Sequence, residues 1–285
     1  MNQIKNAVAS LLEDPNFCKD PWAALDTELN NWEAEGVLAE FWWRDDDVCK
    51  PSPALDMLLS ASRDTPITLA AIPNLTTVNL AEFLNQTDML QRISIAQHGF
   101  NHINHAPDTE KKAEFRNHRP TSEMQQDLSK GYETLKELFK HRFVPLFVPP
   151  WNRIGDQAEE LLAQIGLEFL STFTPREPIK GPRIVNTHID PVNWRANKTF
   201  LGLGPTIAQA VIHLKAKREV WPTIDMIEPT GFLTHHLIHD EETWQFISDF
   251  NRFVSSHKSA LWLDMQDYIS NFSDFGSLIQ PDTHH

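Results

Sequence analysis

The stretch that decides the fold is LAEFWWRDDDV, residues 38–48. Its apolar and aromatic half predicts a buried β-strand over residues 38–44, and the acids that follow mark the strand's carboxyl end. Comparable short apolar runs recur along the chain and predict seven more strands. These lie at residues 67–72, 92–97, 143–149, 168–173, 184–189, 231–235 and 260–264.

Helical patterns separate these runs, with apolar residues recurring at spacings of three and four. The clearest cover residues 53–64, 122–141, 155–166, 206–219 and 241–256. Alternating strands and helices without a linker indicate either a parallel α/β barrel or a doubly wound sheet. We expect this domain to span residues 38–285 and a helical segment, residues 1–37, to pack on it.

The overall charge limits the classes of partner. The chain has 39 acidic and 25 basic residues and a formal net charge of -14. This charge repels nucleic-acid backbones and anionic membrane surfaces, so neither is an expected partner. The first 20 residues have the pattern of an amphipathic helix without signal-peptide features, which predicts a cytoplasmic protein. The two cysteines, Cys18 and Cys49, have no metal-ligand or redox spacing.

Polar residues collect where the predicted strands end, and in both α/β architectures chemistry gathers at the carboxyl ends of the strands. The segments are RDDD (44–47), QHGFNH (97–102), PPWNR (149–153), NTHIDPVNW (186–194) and LTHH (233–236). Seven of the 13 histidines lie in or beside such segments: His98, His102, His105, His188, His235, His236 and His239. We therefore expect one site built from several strand ends.

Three consecutive aspartates predict a cation site, because neighbouring carboxylates repel one another unless a cation neutralises them. One carboxylate and two imidazoles form a metal-binding triad that leaves positions open for water and substrate. His98 and His102 have the spacing of histidine pairs that bind one metal from a helical turn. Two plainer interpretations stay open: the histidines could lie in a solvated loop, and the acids could cap the next helix.

The order of these segments resembles the polysaccharide deacetylase family, the carbohydrate esterases that share the nodulation-factor deacetylase homology domain. The matching motifs are DDD (45–47), HGFNH (98–102), VPPWN (148–152), DPVNW (190–194) and LTHH (233–236), and the resemblance spans residues 38–264. It implies a single-domain, distorted (β/α)7 TIM-like barrel.

The resemblance also implies roles for the residues at the first two motifs. Asp46 falls at the position of the catalytic base, and Asp47, His98 and His102 fall at the positions of the metal ligands. The third aspartate leaves the register ambiguous by one, so Asp45 as base and Asp46 as ligand is the alternative. The implied cofactor is one divalent ion, zinc first, with cobalt, nickel or manganese as alternatives.

The later motifs supply the remaining expected roles. His235 matches the general acid, and His236 is the alternative. Trp151 matches the residue whose backbone N–H helps bind the oxyanion. Pro150, Asn152 and Trp194 would line the substrate site.

Two positions depart from the family pattern. Val148 replaces an arginine that orients the base, so Arg44 or Arg153 would have to take its place. Asn193 replaces an aspartate that holds the acidic histidine, which leaves Asp190 or Asp225 as substitutes. Both departures indicate a divergent branch.

The expected function is that of a metal-dependent deacetylase, which removes an N-acetyl or O-acetyl group from a saccharide or glycoconjugate. One alternative is a hydrolase of another small C–N substrate on the same fold. The other is a barrel that binds sugar or metal without catalysis.

Overall fold

The structure is a computed structural model, and it describes residues 2–86, 92–181 and 183–277. Ten α-helices are found in these ranges: α1 (Asn2–Leu11), α2 (Pro15–Lys19), α3 (Pro21–Ala34), α4 (Pro53–Ser62), α5 (Val78–Asn85), α6 (Thr121–Phe139), α7 (Asp156–Ile165), α8 (Leu203–Arg218), α9 (Glu241–Ser256) and α10 (Met265–Ser277). The five helices with the clearest predicted pattern are all present, and α9 has the predicted bounds.

The described strands are β1 (Ala39–Val48), β2 (Ile67–Ala71), β3 (Ile93–His98), β4 (Phe143–Val148), β5 (Phe169–Leu170), β6 (Val192–Asn193), β7 (Thr199–Phe200), β8 (Thr230–Thr234) and β9 (Ala260–Trp262). The main sheet has the order β5-β4-β3-β2-β1-β8, with every neighbouring pair parallel, and β9 pairs with the start of β1. β6 and β7 form a separate antiparallel hairpin.

The predicted strand at residues 184–189 is present only as isolated bridges. Ile184 pairs with Leu170 of β5, and Ile189 pairs with Phe232 of β8. Since the segment bonds first to one neighbour and then to the other, it does not form a regular ladder with either. It nevertheless joins the two ends of the curled parallel sheet, and the α/β, distorted barrel predicted from the sequence is confirmed.

Alternate residues of β1 face opposite sides of the sheet, as strand geometry requires. Trp42 packs inside the curl with Ala70, Ala96 and residues of α10. Trp43 packs on the outer face against a core shared with the surrounding helices. Both indoles are fully buried. The same alternation sends Arg44 and Asp46 towards the inside and Asp45 towards the outside.

The N-terminal helices pack against α8. Leu25, Leu29 and Trp32 of α3 belong to the outer core. Arg218 of α8 donates to both oxygens of Glu28 in α3, at 2.8 and 3.1 Å. The division of the chain at residue 37 stays a prediction. Within the described ranges, no helix combines the length and the apolar character needed to cross a bilayer.

Candidate active site

The site begins at an irregularity near the end of β1. Asp45 pairs with Leu69 of β2 and Val48 pairs with Ala71, so the register shifts at the two residues between them. Asp47 has a positive φ of 72°, in the left-handed region. Because of this bulge, the three consecutive aspartates point to three different places.

Asp45 is buried on the outer side of β1 against the segment that follows β8. Its carboxylate accepts from the Thr234 hydroxyl at 2.7 Å, from the His236 backbone N–H at 3.0 Å, and contacts His236 Nδ1 at 2.6 Å. Burial raises the pKa of Asp45, but the charge and hydrogen bond of His236 lower it by more, so the pKa of Asp45 is below its usual value. Burial lowers the pKa of His236, but Asp45 raises it above its ordinary value. This pair binds β8 to β1.

Asp46 is held by Arg44, two residues earlier on the same face of the strand. The Arg44 Nε lies 2.9 Å from Asp46 Oδ1, and Nη2 donates to Oδ2 at 3.0 Å. Arg44 also donates to Ser171 Oγ at 2.6 Å and to Asn152 Oδ1 at 2.8 Å. Arg44 and Asp46 are both buried, so the carboxylate is fixed in orientation and its charge is balanced.

Asp47, His98 and His102 come together at the carboxyl ends of β1 and β3. The Nε2 atoms of His98 and His102 lie 3.1 and 3.3 Å from the same oxygen of Asp47, and the three ligand atoms lie within 4.8 Å of one another. Burial raises the pKa of Asp47, but the hydrogen bond and charge of His98 hold it well below its usual range. The next histidine, His105, lies outside this group.

The donor set fits a divalent metal ion. His98 Nδ1 lies 3.0 Å from the carbonyl oxygen of Val148. A carbonyl can only accept, so Nδ1 carries a proton, and a metal that displaced the Nε2 proton would find the Nε2 lone pair directed towards Asp47. Two imidazole nitrogens and a carboxylate oxygen are ligands that zinc and related ions accept.

Glu114, which the sequence analysis missed, supports the turn that carries these histidines. Its buried carboxylate accepts from the backbone N–H groups of Phe100, at 3.2 Å, and Asn101, at 2.7 Å. Gly99 has a φ of 57°, and a Cβ there would lie 2.1 Å from Glu114 Oε2 and 2.5 Å from Pro150. The glycine is therefore required, and the buried Pro150 forms the other wall of the turn. A lone glutamate 12 residues after His102 gives no sequence signal of this contact.

The PPWN segment covers the histidine pair from the side of β4. Trp151 and Asn152 both have positive φ, 58° and 55°, and His102 has 58°. The Trp151 ring centroid lies 4.5 Å from that of His102. Together with Asp47, these are four non-glycine residues in the left-handed region within one site, which is typical of strain at a functional site.

His235 also lies near Asp46, with Nε2 3.8 Å from Asp46 Oδ2. Trp194, at the end of β6, packs its ring edge-to-face with His235 at 4.7 Å and donates from Nε1 to Asp190 Oδ2 at 2.7 Å. Burial raises the pKa of Asp190, and the nearby charge of His235 works against this. Asp190 thus supports His235 through Trp194.

Two further candidates lie elsewhere in the structure. Asp225 accepts from Arg176 Nε at 2.8 Å and is not the substitute that holds His235. Arg153 donates to the carbonyl oxygen of Lys112 at 2.9 Å, so the arginine that holds Asp46 is Arg44.

A second group of candidate ligands consists of His188, His213 and Glu228. Unlike the first group, its imidazole rings are not oriented to bind one ion. The two rings are stacked, with centroids 3.7 Å apart and an interplanar angle of 16°. The in-plane lone pairs of nearly parallel rings cannot converge on one ion. His188 Nδ1 also accepts from the Gly231 backbone N–H at 2.8 Å, which places the proton of the neutral ring on Nε2. This group binds the 184–189 segment to β8.

Comparisons with known proteins agree with this architecture. No family model matches the sequence, and no curated protein matches it. Among solved structures, the chain is similar to a protein from Mycobacterium smegmatis described as a polysaccharide deacetylase, with 14% identity, coverage of 88% of this chain and 94% of the other, and a TM-score of 0.55. It is also similar to the chitin deacetylase of Colletotrichum lindemuthianum, with 12% identity, coverage of 82% and 88%, and a TM-score of 0.50. The chain therefore has the fold of the polysaccharide deacetylases.

Proposed function

We propose that the protein is a metal-dependent deacetylase that hydrolyses an N-acetyl or O-acetyl group of a saccharide or glycoconjugate. The observation that carries the proposal is the arrangement around Asp46. Its neighbour Asp47 converges with His98 and His102, and His235 Nε2 lies 3.8 Å from the Asp46 carboxylate. A site with a ligand triad, a fixed carboxylate and a nearby imidazole has the parts that hydrolysis of an acetamide needs.

Asp47, His98 and His102 would hold the metal, zinc in the first instance. When bound, a divalent cation supplies Lewis acidity for the acyl oxygen and lowers the pKa of a coordinated water. The side chain of Asp47 is about one third exposed and that of His102 about one quarter, so the ligands border solvent and substrate can reach them. His98 is buried and anchors the triad.

Asp46 acts as the general base and accepts a proton from the attacking water. The contacts of Arg44 with both of its oxygens orient the carboxylate, and the Arg44 contacts to Ser171 and Asn152 fix the guanidinium in turn. Arg44 takes the place of the arginine expected at position 148. It is a positioning residue, because it acts through Asp46.

His235 acts as the general acid and delivers a proton to the departing nitrogen as the C–N bond breaks. Trp194 limits its rotation by edge-to-face packing. His236, the alternative acid, is fully engaged by Asp45 and stays structural. The two roles therefore fall to two different side chains, a carboxylate that takes up a proton and an imidazole that gives one.

The tetrahedral oxyanion would be stabilised by the Trp151 backbone N–H. One preorganised donor of this kind contributes about 3 kcal/mol to lowering the barrier. Pro150 and Asn152 shape the wall below the acyl group, and the exposed ring of Trp194 offers a face to the sugar.

Metal content and deacetylation, measured together, test this function. Purified wild type should contain one equivalent of zinc or a related ion and release acetate from acetylated hexosamines. Asp47→Ala and His98→Ala should lose the metal and the activity. His105→Ala is the matched control, because it removes a histidine of the same segment that lies outside the ligand group. Unchanged metal content in the first two variants would refute the site.

A further inference from the structure

A basic cavity adjoins the candidate active site. Its volume is about 330 Å³, and Asn152 and Thr172 form part of its wall. Both residues accept a hydrogen bond from Arg44, through the Asn152 side chain at 2.8 Å and the Thr172 carbonyl at 3.3 Å. Two residues of the cavity wall therefore contact Arg44, which in turn holds Asp46.

Cationic residues outnumber acidic residues in the lining, although the chain as a whole has a net charge of -14. Four cationic and two acidic residues line the cavity: Arg116, Arg153, Arg176, Lys180, Glu159 and Glu177. Arg176 is neutralised by Asp225, at 2.8 Å. Within the parts of the chain that the structure describes, Arg116, Arg153 and Lys180 form no ion pair.

The positive charges of Arg116 and Arg153 repel one another. Arg153 uses Nη1 to donate to the Lys112 carbonyl, and burial and the positive charge of Arg116 lower its pKa. A guanidinium stays protonated at all ordinary pH values, so this repulsion is not relieved by loss of a proton. An anion that contacts both groups would relieve it, and the planar fork of arginine matches the oxygens of phosphate and carboxylate.

We propose that this cavity binds an anionic substituent, a phosphate or a carboxylate, of the acetylated saccharide on which the enzyme acts. The inference rests on the proposed function and narrows its substrate class to anionic saccharides. Asn152 lines the cavity and also accepts from Arg44, so an anion seated between Arg116 and Arg153 would place a neighbouring sugar ring towards the pair of Arg44 and Asp46. Its volume suits one such group with part of the adjoining ring.

Calorimetric titration of the zinc-loaded protein with three small sugars tests the inference. N-acetylglucosamine 1-phosphate and N-acetylmuramic acid carry the two kinds of anion, and N-acetylglucosamine is the neutral reference. At least one anionic sugar should bind tenfold or more tightly than the neutral sugar, and added salt should reduce the difference. Equal affinity for all three would overturn the inference.

Variants locate the binding site. Arg116→Gln should abolish the preference for the anionic sugar, and Arg153→Lys, which keeps the charge but loses the fork, should reduce it in part. Arg252→Gln, on the exposed face of α9, is the matched control and should leave it unchanged. A preference that survives in Arg116→Gln, or is lost equally in the control, would assign the anion to another place.

Two further measurements distinguish failure of this inference from failure of the proposed deacetylase function, and a substrate subsite from an independent anion site. If acetate is released without any preference for anionic sugars, the inference fails and the deacetylase function stands. If the Arg116-dependent preference is present but no acetylated sugar is hydrolysed, the proposed function fails instead. Inorganic phosphate should compete with the sugar phosphate. If it binds at Arg116 without competing, the cavity is an independent anion site and not a substrate subsite.

Discussion

Arg44 and Asp46 lie two residues apart on the inner face of β1, and the guanidinium holds both carboxylate oxygens, at 2.9 and 3.0 Å. The pair is buried, and Ser171 and Asn152 hold the arginine from loops that follow two other strands. A carboxylate in such a setting is held in one orientation. In the proposed mechanism, this fixed orientation is the reason for assigning the base to Asp46 and not to Asp45 or Asp47.

Arg44→Lys should reduce kcat about 100-fold with little change in KM, because lysine keeps the charge but cannot orient both oxygens of Asp46. Steady-state kinetics with an acetylated hexosamine would measure this. Arg252→Lys, which changes an exposed arginine of α9, is the control. A kcat within twofold of the wild type in Arg44→Lys would show that the orientation of Asp46 is unimportant.

Asp45→Asn should destabilise the protein by about 3 kcal/mol and leave its metal content unchanged. The substitution breaks a buried pair with His236 and disturbs three contacts of the same carboxylate. Urea unfolding and metal analysis would measure the two effects. Asp249→Asn, at an exposed pair with Arg252, should change neither the stability nor the metal content. Loss of metal from Asp45→Asn at unchanged stability would instead make Asp45 a ligand.

Glu114→Gln should weaken metal binding by about tenfold, the lower end of the range for residues that orient a ligand. The carboxylate accepts from two backbone N–H groups, and an amide oxygen can satisfy only one while its NH2 group opposes the other. Competition with a chromogenic chelator would give the affinity. The matched control is Glu110→Gln, which removes an exposed carboxylate of the same loop. Equal affinity in both variants would rule out this supporting role.

Lys217→Met should stabilise the protein at neutral pH and lose this advantage in alkali. Burial lowers the pKa of Lys217 from 10.5 to about 8, although Glu40 and Glu228 oppose the shift. Below pH 8 the ammonium is charged in both states and its burial cost is fully present. Between pH 8 and 10.5 the folded state releases the proton first, so the stability of the wild type rises.

The difference between Lys217→Met and wild type should therefore fall by roughly 3 kcal/mol between pH 7 and pH 10.5. Urea unfolding at both pH values would measure it, because other titrating groups contribute equally to the two proteins. Lys215→Met, a partly exposed lysine of the same helix, should show a constant difference. A constant difference for Lys217→Met as well would mean that water reaches the ammonium.

The alternation of strands and helices could be predicted because it depends on local patterns. The run FWW before three acids, and the apolar spacing in residues 241–256, each specify one element without reference to the rest of the chain. The pairing of the segment at 184–189 could not be predicted in this way, because its few bridges are divided between β5 and β8. Its residues have strand character, but pairing is a property of the neighbours.

The sequence by itself determined which residue types gather at one edge of the sheet: aspartates after β1, histidines after β3, and a histidine after β8. The tertiary structure alone decided their partners. Which aspartate contacts Arg44, His98 or His236 depends on a bulge at residues 46 and 47 and on long-range contacts. Arg44 and Ser171 are 127 positions apart in the sequence, and Asp45 and His236 are 191 positions apart. Side-chain periodicity defines the faces of one strand, whereas hydrogen-bond and charge partners are set by the packing of distant segments, and no local pattern records them.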